Sequence, residues 1–506
     1  MSNSQIKKGA LISYVGIIFN IIAGLLYTPW MVKEIGMSDY GLYALAISFL
    51  TYFVMDFGLS DAIARFVAKY RVENNQQKIN QILGLASKIY IYIDLFILIV
   101  LVVVFFFIQN IFTQLNNVEI EKFKVIYIII GLFSLISFPF SSLDGLLIAY
   151  ERFAFLKFCN LLNKVLTILL MVAALLMGYK LYALVFINAI VAIAIICAKL
   201  FFLRKNTKTN VDFKFKSWDL AKEIFGFSAW ATVIGVAQRF LINFAPTLLA
   251  IYAGTTAIAI FSIGRIMEGY VWTFADALNG LFLPKVTVLS EESKDRKKIT
   301  ELMTRVGRIQ LFLVGLLVVG IVVFGKEFIT LWMGKDFKNS YWVAVLLILP
   351  GVIPITQNVA SILMYVENKL KYTGWVYASS SAASILVSLF LIPHFGAVGS
   401  AIAICIGLTL FQLVAMNIVY HKVMKIDILY FLKGSFLKML PSFGVILFIG
   451  VIINYFIPAP SFIIFFGKAF ILGVVYLIIM WLFSLNKNEK DLFLSFVNKA
   501  GIIKFQ

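Results

Sequence analysis

Long apolar runs, separated by short polar segments, occupy most of the chain. A helix needs roughly 20 mostly apolar residues to cross a bilayer, so this pattern predicts about fourteen membrane-spanning helices. Their predicted limits are 9–31, 40–60, 81–108, 125–148, 154–178, 181–203, 223–252, 256–284, 307–333, 341–366, 373–393, 396–420, 439–457 and 462–485. The pattern therefore predicts an all-α polytopic membrane protein.

Composition supports this fold class and excludes a soluble one. The 506 residues are 62% hydrophobic and 14% charged, whereas soluble domains are about 45–50% apolar and about 25% charged. That apolar excess cannot be buried inside soluble cores. The three cysteines and two histidines are isolated in the sequence, so we expect no disulfide framework, no metal site and no other cofactor.

The positions of the basic residues predict the orientation. The chain carries 44 Lys and Arg against 25 Asp and Glu, a net charge of +19, which in a soluble protein would suggest a nucleic-acid partner. Basic residues of short loops stay in the cytoplasm, and an N-terminus inside places about 31 of them there and about seven outside. The contrast predicts cytoplasmic N- and C-termini, an even number of spans and no nucleic-acid partner.

An internal repeat divides the predicted helices into two lobes. At an offset of about 215–218 residues, Gly36 corresponds to Gly254 and Glu151 to Glu367. The shared offset predicts two six-helix lobes related by a parallel repeat, followed by an extra C-terminal helix pair. The predicted divisions are an N-lobe 1–203, a basic cytoplasmic linker 204–222, a C-lobe 223–420, a cytoplasmic amphipathic loop 421–438, the helix pair 439–485 and a cytoplasmic amphipathic tail 486–506.

Two segments outside the predicted spans are amphipathic. Residues 424–433 and 491–499 mix apolar and basic positions at helical spacing. Helices of this kind lie on anionic membrane surfaces, so anionic lipids are expected partners. Lys468, inside the last predicted span, is interpreted as a side chain that snorkels to the membrane surface.

Polar side chains near mid-membrane mark the candidate site. They are Arg239 and Asn243 in the seventh predicted span, and Arg265, Glu268, Trp272, Asp276 and Asn279 in the eighth. Intervals of three and four residues put the second group on one helical stripe. An ionisable group at mid-membrane costs at least about 2.5–3.5 kcal/mol, so such a stripe is expected to face a cavity or a partner.

The two arginines have a functional and a structural interpretation. A forked guanidinium in a water-filled cavity can pair with phosphate oxygens, so Arg239 and Arg265 are candidate substrate-binding residues. Alternatively, Arg265 and Glu268 neutralise each other as an ion pair. Glu268 and Asp276 are also candidates for carrying H+ or Na+ in a coupled cycle.

Several sequence blocks resemble one known group of transporters. They are Asn20–Tyr27 with Gly36, Tyr40–Leu45, Asp56–Ala68, Phe328–Phe337 and Phe395–Ala403. The first blocks resemble the N-terminal pattern of Wzx-type polysaccharide exporters, the lipid-linked oligosaccharide flippases of the multidrug/oligosaccharidyl-lipid/polysaccharide (MOP) superfamily. The resemblance implies a bacterial inner-membrane flippase. Its cargo would be a polyprenyl-pyrophosphate-linked sugar repeat unit, moved by alternating access for O-antigen, capsule or exopolysaccharide synthesis beside other polysaccharide-assembly proteins.

The same resemblance implies a role for residues near the cytoplasmic end of the second span. In that family the aspartate–glycine stretch marks the inner gate region, which implies gating roles for Asp56 and Arg65. The alternative is a solvated helix end that only anchors the chain. Asn20, midway along the first span, is expected to face the same cavity as the arginines.

Two other functions remain open from the sequence. A drug or metabolite exporter of the same superfamily would share the topology, although a cavity for cationic drugs should be acidic. A membrane polymerase, ligase or glycosyltransferase usually needs a sizeable external domain or a metal-binding carboxylate pair. The longest external segment, residues 109–124, is too short for a domain, and no Asp-x-Asp pair occurs. We therefore expect a transporter and not an enzyme.

Overall fold

The computed structural model describes residues 3–276, 286, 288–289, 296–491 and 494, and this part of the chain is helical with no strand. The α-helices are α1 Asn3–Ile35, α2 Met37–Phe53, α3 Leu59–Val72, α4 Gln76–Ile111, α5 Asn117–Ser137, α6 Ser142–Ala149, α7 Phe153–Leu176, α8 Leu181–Asn206, α9 Trp218–Tyr252, α10 Gly254–Asp276, α11 Arg296–Met333, α12 Ser340–Thr356, α13 Asn358–Val366, α14 Leu370–Gly407, α15 Met416–Lys422, α16 Ile428–Leu432, α17 Lys438–Phe456 and α18 Phe462–Ile479. Short 3₁₀ or π segments join α5 to α6, α11 to α12, α14 to α15 and α16 to α17, and one extends α18.

Eleven helical segments of the described chain are long and apolar enough to cross a membrane. One of them, Leu370–Lys422, has 53 residues and holds two predicted spans, because Gly396 interrupts its helical backbone with φ 53° and ψ −128°. The predicted spans 40–60 and 256–284 correspond to α2 and to α10, whose description ends at Asp276. Each predicted span thus has a helical counterpart. The amphipathic helix α3 is an addition that the apolar runs did not predict.

The predicted repeat recurs in the backbone conformation. Positive φ angles occur at Gly36 and Gly254, 87° and 78°, and at Gly178 and Gly396, 84° and 53°. Each pair is 218 residues apart, within the offset found in the sequence. Because a positive φ is strained for residues with a Cβ atom, glycine is the residue expected at these recurring helix starts and breaks.

The chain packs as two compact units, Met1–Ser262 with Tyr377–Ile404, and Ile263–Val376 with Cys405–Gln506. In the first unit α1 packs along α7, α3 on α6, and α2 on both α5 and α9. In the second unit α11 is the central helix and contacts α12, α17 and α18. The lobe limits predicted from the repeat, 1–203 and 223–420, stay a prediction.

A buried ion pair fastens the segment that follows α18 to α11. Arg308, in α11, donates to both carboxylate oxygens of Glu489, with Nε–Oε1 at 2.5 Å and Nη2–Oε2 at 2.9 Å. Both side chains are almost fully buried, at 6% and 4% exposure. The same guanidinium donates to the carbonyl oxygens of Gly434 and Ser484, so its buried donors are well satisfied.

A second buried pair fastens the other end of the C-terminal helices. Lys468 is 1% exposed and forms an ion pair with Glu327 of α11. Its Nζ also donates to Asn454 Oδ1 at 2.7 Å and lies 4.8 Å from the ring centre of Phe324. The expectation that Lys468 snorkels to the membrane surface is therefore wrong, because its ammonium is buried and pairs with the partly exposed carboxylate of Glu327.

The amphipathic segment 424–433 also differs from the prediction. Its apolar residues Met424, Ile426, Ile428 and Phe431 are buried in a core cluster of the second unit. The helix begins only at Ile428, and the apolar side chains before and within it cover the protein core and not a membrane surface. The other predicted surface segment, 491–499, lies outside the described residues except for positions 491 and 494.

The linker between α8 and α9 runs along α4 as a strap without a helix, which we define as residues 207–217. Gln76 Nε2 donates to the carbonyl of Lys208 at 3.1 Å, and Asn80 binds the strap through its side chain and its carbonyl oxygen. Farther along α4, Lys88 Nζ donates to the Phe215 carbonyl at 2.9 Å. The linker is therefore held by α4 over about three helical turns.

Candidate functional site

The candidate site of the first unit begins at the break between α2 and α3. Phe57 and Gly58 have left-handed φ angles of 52° and 67°, which separate the two helices. The Asp56 carboxylate accepts the backbone N–H of Ser60, with the shorter N–O distance 3.0 Å, and the phenol of Tyr90, 2.6 Å away. Asp56 thereby satisfies one of the free N–H groups in the first turn of α3 and fixes the break.

Helix α9 is tied to this break by two side chains. Thr232 donates its hydroxyl to the carbonyl of Phe57. Arg239 donates Nη1 to the carbonyl of Thr51 at 2.9 Å. Thr51 lies in the last turn of α2, where carbonyl groups have no intrahelical partner and favour a cation.

The guanidinium of Arg239 lies in the membrane-spanning part of α9. Arg239 is half-buried in the membrane-spanning segment Ala229–Tyr252. No salt bridge of the described residues includes it, although Asp56 is close enough to act on its guanidinium electrostatically. Among the described residues, one hydrogen bond of Arg239 is seen, which uses one of its five N–H donors on Thr51. Asn243, one turn farther along α9, and Asn20, in α1, are also half-buried.

The second group of predicted residues lies in the second unit. Arg265, partly exposed, forms an ion pair with the buried Glu268 three residues on. Trp272 lies against α12, where a Cβ added at Gly351 would come within 3.3 Å of its indole ring. Gly264 contacts α12 as well, so Glu268 lies on the face of α10 that packs there. The structural alternative for Arg265, an ion pair with Glu268, is thus realised.

Three predicted residues are not seen in either of these two groups of contacts. Arg65 is exposed on α3, away from the buried side of that helix. Asp276 is the last described residue of α10, and its side chain lies outside the described residues, as does Asn279. In the described part of the chain, no group of three or more His, Cys, Asp and Glu residues could hold a metal ion.

Two side chains that bind the break between α2 and α3, Tyr90 and Thr232, were not predicted from the sequence. Tyr90 is fully buried in the apolar run of α4, and a buried phenol usually has a hydrogen-bond partner. That rule points to a polar contact, but it cannot name Asp56 as the acceptor. Thr232 gives no such signal, because threonines are common in membrane helices.

A separate cavity of about 750 Å³ lies in the first unit between the start of α2 and the start of α5. None of the predicted site residues lines it. Its charged groups are mostly paired, since Lys122 forms a 2.6 Å ion pair with Asp39. Glu119 accepts hydroxyl hydrogen bonds from Ser38 and Thr255 at 2.6 and 2.7 Å.

Solved structures of similar fold are transporters. The lipid II flippase MurJ in an inward closed conformation is 16% identical, with a TM-score of 0.68, over 93% of this chain and 98% of its own. An inward-facing multidrug resistance MATE family transporter of the MOP superfamily is 13% identical, with a TM-score of 0.64, over 81% and 96%. The MATE multidrug transporter DinF-BH, in a ligand complex, is 14% identical, with a TM-score of 0.62, over 83% and 96%.

At these identities the likeness shows the fold of a MOP-superfamily transporter. Among curated proteins, none matches the chain. Residues 6–267 match the family described as "Polysaccharide biosynthesis protein". The matched region is more than half of the sequence and includes α1 to α9, the break at Asp56, and Arg239. The chain therefore belongs to the polysaccharide biosynthesis protein family.

Proposed function

We propose that this protein is a flippase for a polyprenyl-pyrophosphate-linked oligosaccharide repeat unit. It would move this cargo by alternating access from the inner to the outer leaflet of a bacterial cytoplasmic membrane, for O-antigen, capsule or exopolysaccharide assembly. The observation that carries the proposal is Arg239, a half-buried cation in a membrane-spanning helix without an ion-pair partner among the described residues. Family membership supports the polysaccharide class, and the likeness to MurJ supports a lipid-linked cargo.

The chemistry of Arg239 suits a pyrophosphate group. An unpaired charge inside a membrane is costly, and an anionic ligand reduces that cost. The planar guanidinium presents parallel N–H donors that match two phosphate oxygens, which a lysine ammonium cannot do. Its single bond to the Thr51 carbonyl orients the fork without neutralising the charge.

Arg265 is the weaker of the two candidate anion sites. Its ion pair with Glu268 makes this part of α10 electrically neutral, so a phosphate would have to compete with a carboxylate three residues away. We assign Arg265 to the cavity wall and Glu268 to the exchange of H+ or Na+ during the cycle. The further proposed residues are Asn20, Asn243 and Trp272 in the wall, Asp276 in coupling, and Asp56 and Arg65 at the gate.

A multidrug exporter is the second candidate function. The specific observation in its favour is the fold likeness to MATE family transporters, two of them described as multidrug transporters. The cationic Arg239 disfavours it, because a buried guanidinium repels a cationic drug. A polyprenyl pyrophosphate and a cationic dye are therefore the two ligands that separate the candidates.

The test measures binding of polyprenyl pyrophosphate to the purified full-length protein in nanodiscs. Loss of a charged hydrogen-bonding group costs about 1.5–3 kcal/mol, which corresponds to roughly 10- to 150-fold weaker binding. We expect Arg239→Gln to show this loss. Arg239→Lys should recover it in part, because the ammonium keeps the charge but not the fork.

Arg305→Gln is the matched control, because it removes an exposed arginine from α11. It should bind the lipid as the wild type does. Equal binding by Arg239→Gln and Arg305→Gln, with both proteins equally stable to heat, would show that Arg239 is not the anion site. Binding of a cationic dye without binding of polyprenyl pyrophosphate would instead identify a drug exporter.

A further inference from the structure

The strap exposes apolar side chains where a soluble loop would be polar. Val211 and Phe213 are exposed, the latter at 54%, and Trp218, just beyond the strap at the start of α9, is 72% exposed. Val211 and Phe213 form the apolar edge of the strap, and the chain turns at Phe213 and Lys214, where the Lys214 N–H donates to Asp212 Oδ1 at 3.0 Å. This apolar edge has no covering helix among the described residues of the first unit.

Basic side chains surround this apolar edge. The linker from Arg204 to Lys222 contains six basic and two acidic residues. Lys208, Lys214 and Lys216 are exposed on the strap itself. Lys222 lies 5.7 Å from the ring centre of Trp218. Exposed aromatic and basic side chains in alternation are typical of segments that lie in an anionic lipid interface.

The attachment to α4 fixes the depth of the strap. Helix α4 has 36 residues and is about 54 Å long at 1.5 Å per residue, whereas the hydrocarbon core is about 30 Å thick. Lys88, which binds the Phe215 carbonyl, lies about 35 Å from the far end of α4 at Ile111. Asn80, which binds the strap at Asn210, lies about 12 Å farther out. With Ile111 taken as the far edge of the hydrocarbon core and α4 as perpendicular to the membrane, the Phe213–Phe215 end reaches the level of the lipid headgroups, and the Asn210 end extends beyond them.

The strap is also rigidly placed at this depth. Gly84 of α4 lies directly against the carbonyl of Asp212, and a Cβ atom at position 84 would collide with it. Together with the bonds from Gln76, Asn80 and Lys88, this contact leaves the strap in register with α4. A free loop would lose conformational entropy on binding a surface, whereas this strap is already ordered.

We propose that the strap is a membrane-docking element, in which Phe213 inserts among the lipid headgroups while Lys214 and Lys216 bind the phosphates of anionic lipids. The occupant of this surface is the bilayer that surrounds the protein. The proposal is independent of the transported substrate. It implies that the insertion of the strap into the membrane depends on the content of anionic lipid.

The experiment places a fluorescent label on the strap of the full-length protein in nanodiscs. The native cysteines Cys159, Cys197 and Cys405 are replaced by serine, and an environment-sensitive dye is attached to Phe213→Cys. Asn210→Cys, labelled with the same dye, is the matched control, because it lies on the same strap but beyond the headgroups. Quenching is measured with a nitroxide lipid labelled near its headgroup, and with aqueous iodide.

We expect the nitroxide lipid to quench the dye at position 213 at least twofold more than the dye at position 210, and iodide to show the reverse order. Replacing phosphatidylcholine by 30% phosphatidylglycerol should increase the nitroxide quenching at 213. The double variant Lys214→Gln/Lys216→Gln should lose that increase. The double variant Lys335→Gln/Lys338→Gln, which removes two exposed lysines between α11 and α12, should keep it.

Two results would overturn the proposal. Strong iodide quenching at 213 without nitroxide quenching, in both lipid mixtures, would show that the strap faces water. Identical nitroxide quenching with and without phosphatidylglycerol would show that the lysines do not recognise anionic headgroups. Because nanodiscs have the same composition on both faces, neither result depends on the orientation of the protein.

Discussion

The buried pair Arg308–Glu489 predicts a strongly non-additive response to mutation. Removing one partner of a buried ion pair leaves an uncompensated charge and costs about 3–5 kcal/mol, whereas replacing both by apolar residues is often neutral. Arg308→Met would leave the Glu489 carboxylate buried and would also free the carbonyls of Gly434 and Ser484. We therefore expect Arg308→Met and Glu489→Leu each to loosen the C-terminal segment, and the double variant to restore much of the loss.

The assay is hydrogen exchange of the peptides that cover residues 480–491. These residues exchange through local opening, whose free energy the ion pair raises. A loss of about 3 kcal/mol corresponds to roughly a hundredfold faster exchange, since 1.4 kcal/mol is a factor of ten. Peptides from α7, in the other unit, serve as the internal control and should exchange at the wild-type rate.

The result that would refute this reasoning is additivity. If the exchange rate of the double variant rose by the product of the two single increases, Arg308 and Glu489 would act independently, and the ion pair would not stabilise the C-terminal segment. Wild-type exchange in Arg308→Met would be equally damaging, because it would mean that a carboxylate at 4% exposure needs no counter-charge.

Two further predictions concern packing and pH. Gly41→Ala should destabilise the protein by about 1–3 kcal/mol, because its Cβ would collide with a backbone carbonyl at the start of α10. Gly235→Ala, which has open space, should be neutral or stabilising in the same thermal melt. Partial burial would raise the pKa of Glu367, but hydrogen bonds and charges from Arg296 and Lys369 outweigh it, so this pKa lies below its ordinary value of 4.5. Glu367→Gln should lower the free energy of unfolding by its full amount above pH 4.5. The difference from the wild type should vanish as pH falls through the lowered pKa of Glu367.

The helices and their repeat were predictable because their signals are local or periodic. Twenty apolar residues indicate a span whatever surrounds them. Gly36 and Gly254 recur at the predicted offset because both repeats need a positive φ at the same helix start. The amphipathic helix α3 was not predicted, because it is too polar to count as part of an apolar run and too short to form a span.

The two ion pairs that tie the C-terminal segment to α11 and the contacts of the strap were not predictable from the sequence, because their partners are distant along it. Lys468 meets Glu327, 141 residues away, and an apolar run around a lysine looks the same whether it snorkels or is paired. Asn80 meets Asn210 across 130 residues. Such pairs are chosen by tertiary packing, and nothing in the spacing of either residue indicates the other.

The spacing of residues along one helix predicts the contact of one of the two arginines but not that of the other. Arg265 and Glu268 are three residues apart on one helix, so their ion pair was foreseeable as an alternative. Arg239 has no acid at helical spacing, and its ligand is a carbonyl freed by the end of a different helix. The helix end exists because Phe57 and Gly58 take left-handed conformations and Asp56 holds them. The contact made by Arg239 therefore depends on the backbone break between α2 and α3, whereas the ion pair of Arg265 depends only on spacing along α10.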